Sequence, residues 1–456
     1  MLINRWQAVA MIGAVVGLIG GMLAEKRPST AIELCVIIAG IVSLAMLGDR
    51  AFPWAIVIVA VAPWYPFTAH SAAPAGINQK AICIVIASAT LAPWLWSLGV
   101  GGRRTRPNPR TLLMGLLYAG LTLLIYTTLG ISKMITPVIA GYIFAGIAFL
   151  CARRFTDVRS WLTPGFVGLV ILLLLGAKAY AGAPTERVGY FVGYPITYGA
   201  LLVGLIPLGL LFAFRHSRWL AGVIVAGSVA MLVFSESRSA WIATGVVLLA
   251  LVALLVRGRQ LRALALIGAV LLIGLGLIAG TGQLQKVIER RVNSKTASSE
   301  SVTHRLWSLN YAFSQIGKSP VFGAGAPGFS AEEANNRTSI GAIDDGYVSV
   351  TVDMGLVGLG AALIPILIAL AVLARCLRFG VTPPLELALA LGVIGMAVVT
   401  LFYDSFYWSQ IDLLFGAMGG ALSLRINQIV PAGVARARPV ATRPQHALGL
   451  LGIGRS

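Results

Sequence analysis

The sequence predicts an all-α polytopic membrane protein, with twelve to fourteen transmembrane helices and one large extracytoplasmic loop containing amphipathic helices. Three observations carry that reading. Of 456 residues, 58% are hydrophobic and only 11% are charged, where a soluble domain carries roughly 25%. The apolar residues collect in runs near the ~20 residues that cross a bilayer core. Between those runs, basic residues recur in every second loop, which is a topological signature.

In chain order the expected spans are 6–23, 31–48, 52–66, 81–100, 112–130, 134–151, 162–179, 195–214, 219–234, 240–256, 263–280, 346–373, 385–402 and 406–424. Several are short, 52–66 above all, so twelve spans fit as well as fourteen. The chain therefore divides into a first bundle segment (1–280), the large loop (281–345), a second bundle segment (346–424) and a basic tail (425–456). The tail reads as disordered chain facing lipid headgroups. No small-residue cleavage site follows the first span before the second begins, so that span is read as retained.

A net charge of +19 would suit nucleic acid, but its distribution points elsewhere. Arg5, the alternate loops from Arg50 to Arg378 and the tail arginines hold 21 of the 35 Lys and Arg residues. The positive-inside rule places that side, with both termini, in the cytoplasm and the 281–345 loop outside. No nucleic-acid partner is expected. Cys35, Cys83, Cys151 and Cys376 all lie in or beside spans, so neither a disulfide framework nor a thiolate metal site is expected. No histidine or cysteine pair has metal-ligand spacing, and no phosphate-cradling glycine loop follows a strand. Neither a metal nor a cofactor is expected.

Ionisable residues are sparse on the outer face, which makes each one worth weighing. Arg187 lies in Gly182-Ala-Pro-Thr-Glu-Arg-Val-Gly-Tyr-Phe-Val-Gly-Tyr-Pro195, and Arg238 in the tight turn Ser235-Glu-Ser-Arg-Ser239. A charge so near the hydrocarbon must snorkel, pair or face water. Arg238 thus reads either as a partner of Glu236 or a headgroup, or as part of an anion site with Arg187. A guanidinium keeps its charge in a low dielectric and offers a planar fork, so two of them would suit a diphosphate.

Within the large loop, Leu306, Leu309, Phe313 and Ile316 recur at helical spacing, predicting an amphipathic helix over His304–Ile316. Trp307 and Tyr311 suit an interfacial anchor or a sugar-stacking platform. Arg305, expected at the start of this helix, is a third candidate for phosphate. His304 and His70 read as solvated loop histidines. Asp344 and Asp345 directly precede the next span. One acid there suffices as an N-cap; the other is left to orient or deprotonate an acceptor hydroxyl.

Four elements in this order resemble the bacterial O-antigen ligase and O-antigen polymerase superfamily of polytopic C-type glycosyltransferases. They are Glu186-Arg-Val-Gly-Tyr-Phe-Val-Gly-Tyr-Pro195, Ser237-Arg-Ser-Ala240, Arg305 with Trp307 and the turn Ser319-Pro-Val-Phe-Gly-Ala-Gly-Ala-Pro-Gly-Phe329, and Asp344-Asp-Gly-Tyr347 with Asp353-Met-Gly-Leu-Val-Gly358. Asp344-Asp345 stands where the ligases of that family carry His-Asn, which resembles the polysaccharide polymerase branches. The resemblance implies a metal-independent, inverting transferase that uses a polyprenyl-diphosphate-linked glycan donor. Arg187, Arg238 and Arg305 would hold the diphosphate, and Asp344 with Asp345 would act on a glycan or lipid acceptor. The implied partners are membrane lipids, that donor and, for a polymerase, a chain-length regulator. A ligase is the rival within the class. A transporter or flippase of a lipid-linked or anionic substrate is the rival from outside it.

Overall fold

The ends of the helices are set by a few short polar residues, glycines and prolines, and the bodies by apolar sequence with no polar side. The computed structural model describes residues 51–61, 145–146, 148–150, 152–153, 158–184, 186–192, 194–257, 295–323, 345–380, 383–403, 408–426 and 429. These form α1 (Ala51–Val61), α2 (Leu162–Gly182), α3 (Pro195–His216), α4 (Arg218–Ser235), α5 (Arg238–Arg257), α6 (Lys295–Lys318), α7 (Gly346–Phe379), α8 (Pro384–Thr400) and α9 (Ser409–Ser423). The described residues contain no strand. The segments Val158–Gly182, Pro195–His216, Arg218–Ser235 and Gly346–Phe379 are long and apolar enough to cross a membrane; α5 and α8 carry shorter apolar stretches. The expected spans 6–23, 31–48, 81–100, 112–130 and 263–280 lie outside the described residues, as does most of 134–151.

Proline starts α3 at Pro195 and α8 at Pro384, where the missing amide costs no helical bond. Ser217 alone separates α3 from α4, and its Oγ accepts the Trp219 amide at 3.2 Å. Glu236 and Ser237 alone separate α4 from α5. Connections this short force antiparallel neighbours. The centre of the bundle is the pair α3 and α8: α3 packs on α2, α4, α5 and α8, while α8 packs on α3, α5, α7 and α9. Their close approach runs through Gly204 and Gly392, where a side chain on Gly392 would meet the Gly204 carbonyl. Small residues of this kind let apolar helices associate where lipid removes the hydrophobic incentive. Buried Tyr198 ties α3 to α2 by donating to the Leu172 carbonyl at 2.9 Å.

One helix departs from the expected form. The span read as continuous over 346–373 is broken at Gly355, whose φ of 66° and ψ of −164° lie in a region open only to glycine. The break frees amide groups, and the large loop satisfies them: Leu356 donates to the Pro320 carbonyl at 2.9 Å and Val357 to the Val321 carbonyl at 3.2 Å. Gly323, at φ 78°, lies so close to the Asp353 backbone that it too has no room for a side chain. The turn at 319–323 is thereby docked on a discontinuous membrane helix. Irregular backbone beside a span is tolerated where protein satisfies it.

The amphipathic helix forms, but it is longer and faces differently than its spacing predicts. It begins at Lys295, so Arg305 lies within it rather than at its start. The face packed on α7 carries Ala312 and Ile316 against Val348 and Val352, with Ser308 and Gln315 also buried. Leu306 and Phe313, expected in the apolar seam, are 59% and 60% exposed.

Candidate functional site

The antiparallel order brings one set of helix ends together: the C-termini of α2, α4 and α8, and the N-termini of α3, α5, α7 and α9. Arg215, Arg218, Arg375 and Arg378 belong to the opposite end. At the first end, the 183–194 segment crosses over the α4–α5 turn. Val188 donates its amide to the Phe234 carbonyl at 3.0 Å. Half-buried Arg187 donates Nε to the Ser235 carbonyl at 3.2 Å and Nη2 to the Glu236 carbonyl at 3.4 Å. Those carbonyls end α4 and would otherwise lack helical partners. The same guanidinium lies 5.7 Å from the Tyr194 ring centroid, a cation–π distance.

The turn beneath Arg187 is constructed from short hydroxyls. Ser235 Oγ donates to the Leu232 carbonyl at 2.8 Å and accepts the Ser237 amide at 3.3 Å. Ser237 Oγ accepts the Ala240 amide at 3.4 Å, capping the start of α5. Trp241 adds an indole bond to the Leu232 carbonyl at 2.7 Å. Buried Glu236 adopts the left-handed conformation, φ 51° and ψ 29°, which lets the chain reverse in two residues. Arg238 follows as the first residue of α5 and is exposed. Arg187 and Arg238 therefore sit on adjoining backbone although 51 positions separate them in sequence. An exposed arginine at a helix N-terminus, beside a second arginine, is favourable ground for an anion.

Asp345 caps α7: Oδ1 accepts the Tyr347 amide at 2.9 Å and the Val348 amide at 3.2 Å. Burial pushes its carboxyl above the ordinary 3.8, against the lowering effect of the Val348 and Tyr347 amides. Tyr347 donates its hydroxyl to the Ala397 carbonyl at 3.0 Å, fixing the start of α7 to the end of α8. Asp344 lies outside the described residues, as does His70; for Arg305, His304 and Trp307 the structure describes the helical backbone alone. Tyr311 is half-buried on α6. No cluster of His, Cys, Asp and Glu able to hold a metal occurs among the described residues.

Sequence reasoning passed over a group of aromatic residues from two distant loops. Tyr190 meets Tyr194, Tyr194 meets Tyr403, and Trp408 donates its indole N–H to Tyr403 Oη at 2.7 Å. Buried Gln410 secures the two loops by donating to the Val192 carbonyl at 2.8 Å. Nothing in hydropathy or local spacing links positions 194 and 403; only the packing of α3, α8 and α9 does.

Residues 223–363 match the family described as O-Antigen ligase. Over that segment the chain is similar to the O-antigen ligase family. That family comprises membrane enzymes of glycan transfer, and it implies lipid-linked glycan substrates. No curated protein and no solved structure matches the chain. The O-antigen ligase match runs from α4 to the middle of α7, so Arg238, Arg305, Asp344 and Asp345 fall within it, whereas Arg187 lies outside it, before α3. The matched segment thus supplies the α4–α5 turn and the start of α7 to this end of the bundle.

Proposed function

We propose that the chain is a polysaccharide polymerase of the bacterial inner membrane, lengthening a polyprenyl-diphosphate-linked glycan on the extracytoplasmic face. The observation that carries this reading is the joining of Arg187 to the turn that presents Arg238. Two guanidiniums on adjoining backbone suit a diphosphate leaving group, whose negative charge grows as its bond to the anomeric carbon breaks. Donors held in place before the reaction stabilise that charge more in the transition state than in the ground state. Arg305 assists from α6.

The acceptor hydroxyl attacks the anomeric carbon from the side opposite the diphosphate, forming the new glycosidic bond with inversion. Its proton passes to a carboxylate. Asp345 commits Oδ1 to the cap of α7, which favours Asp344 as the acceptor of that proton. The energy comes from the diphosphate ester already present in the donor. Basic residues at the opposite end of the bundle support a cytoplasmic location for that end, with both termini on the same side.

The test is a reconstitution of purified protein with a polyprenyl-diphosphate-linked oligosaccharide, without nucleotide or added metal. A ladder of extended lipid-linked glycans, abolished by Arg238→Ala and by Asp344→Asn, is the expected result. Transfer of the finished glycan to a different lipid or protein acceptor would identify a ligase instead. Movement of intact donor across the bilayer, without product, would reject the enzyme reading for a transporter.

A further inference from the structure

Four aromatic side chains gather beside Arg187 at the site end of the bundle. Tyr194 lies nearly parallel to Tyr403, with centroids 6.1 Å apart and planes at 11°. Tyr190 meets Tyr194 edge-on at 5.8 Å, and the Arg187 guanidinium stands over the Tyr194 ring. Trp408 holds Tyr403 by its hydroxyl. The group remains open to the outside, since Tyr194 is 37% exposed.

We propose that this cluster is a saccharide subsite, holding the first sugar units of the lipid-linked glycan against the rings of Tyr194 and Tyr403. The proposal rests on the donor reading above and deepens it. A glycan bonded to a diphosphate at its anomeric carbon must begin where the diphosphate ends. What adjoins Arg187 is Tyr194. Tyrosine and tryptophan offer an apolar ring with a polar edge, matching a sugar that presents C–H groups on its face and hydroxyls around its rim. Binding sites are typically lined in this way, by aromatic walls with a few placed polar groups.

Two other uses fit less well. An aromatic belt at the membrane interface sets its rings among lipid headgroups. Here the rings pack on one another: Trp408 fixes Tyr403 within its own connection, and the Gln410–Val192 bond joins that end of α9 to the segment carrying Tyr190 and Tyr194. A polyprenyl tail would be served by aliphatic side chains facing lipid, and gains nothing from hydroxyl rims.

The test uses full-length protein in nanodiscs and oligosaccharide released from the source cell's own lipid-linked pool, freed of diphosphate. Saturation-transfer NMR should show contact with wild type and with Tyr194→Phe. Tyr194→Ala and Tyr403→Ala should lose it. With the intact donor, both alanine variants should raise KM about tenfold, a ratio equivalent to roughly 1.4 kcal/mol, with kcat little changed. Inhibition by sugar-free polyprenyl diphosphate should be unaffected. Tyr194→Leu replaces Tyr194→Ala if the latter melts early.

Saccharide contact that survives both alanine substitutions would overturn the proposal. So would an equal weakening of the sugar-free diphosphate, which would mark a tail or phosphate site. The donor reading fails separately, if Arg238→Ala leaves inhibition by sugar-free polyprenyl diphosphate intact.

Discussion

Arg187 donates to the two carbonyls that close α4, whereas Arg238 stands exposed at the first position of α5. Substitution should therefore separate the two. Arg187→Ala is expected to lower both activity and stability, the latter by about 2 kcal/mol for bonds to a charged donor, read as an earlier thermal melt. Arg238→Ala should abolish glycan extension with an unchanged melt. Loss of stability at Arg238, or none at Arg187, would contradict this division. Asp345 allows a finer test. Burial makes the folded protein hold its proton more tightly than the unfolded chain, so rising pH through the folded pKa withdraws stability. Asp345→Asn keeps an oxygen for the Tyr347 and Val348 amides but carries no charge. Its melting temperature relative to wild type should rise as pH climbs above 3.8, while Asp345→Ala, equally uncharged, should follow the same trend about 1 kcal/mol of capping below Asp345→Asn. Arg187, Arg238 and Asp345 stand out in the sequence as single residues, because charge is rare in the connections that carry them. Their geometry does not: nothing local to Arg187 says that its guanidinium will close another helix.

The turn at 319–323 and the break in α7 form one unit, since the amides freed at Leu356 and Val357 are taken by Pro320 and Val321. Gly355→Ala would put a side chain both in a glycine-only conformation and against the Val321 carbonyl. The expected result is a loss of roughly 1–3 kcal/mol from the backbone conformation alone, and release of the turn. Limited proteolysis should then cut near residue 320 far faster than in wild type; an unchanged rate would show that the turn is held by other contacts. Hydropathy could not reveal this break, because the residues on both sides of Gly355 are apolar enough to continue a span. The left-handed requirement at Gly355 is a property of what the loop does, and a glycine in a membrane helix has packing as its ordinary explanation. The α6 helix shows a related limit. Its period was readable from Leu306, Leu309, Phe313 and Ile316, but which part of that arc is buried depends on the shape of α7, and Val348 and Val352 select Ala312 and Ile316.

At the scale of the molecule, the bounds of the helices α2, α3, α4, α5, α8 and α9 were readable to within a few residues, because length and apolarity decide them before packing does. The convergence of the helix ends follows from short connections, which permit only antiparallel neighbours. What packing alone supplies is the meeting of Tyr194, beside Tyr190, with Tyr403, held by Trp408, through α3, α8 and α9. The orientation of the whole bundle then decides which solution the site meets. Gly182 ends α2 at the site end, is exposed and has open space where a side chain would stand. His216 ends α3 at the opposite end and is also exposed. In a background lacking Cys35, Cys83, Cys151 and Cys376, Gly182→Cys should react with a membrane-impermeant maleimide on spheroplasts, and His216→Cys only after lysis. The reverse pattern would put Arg187 and Arg238 in the cytoplasm, where the charge asymmetry of the loops says they do not belong. It would also require the glycan donor to be used before it crosses the membrane. A single labelling experiment thus tests the topology and constrains the direction of the chemistry, because the diphosphate must lie at the same bilayer face as the arginines proposed to hold it.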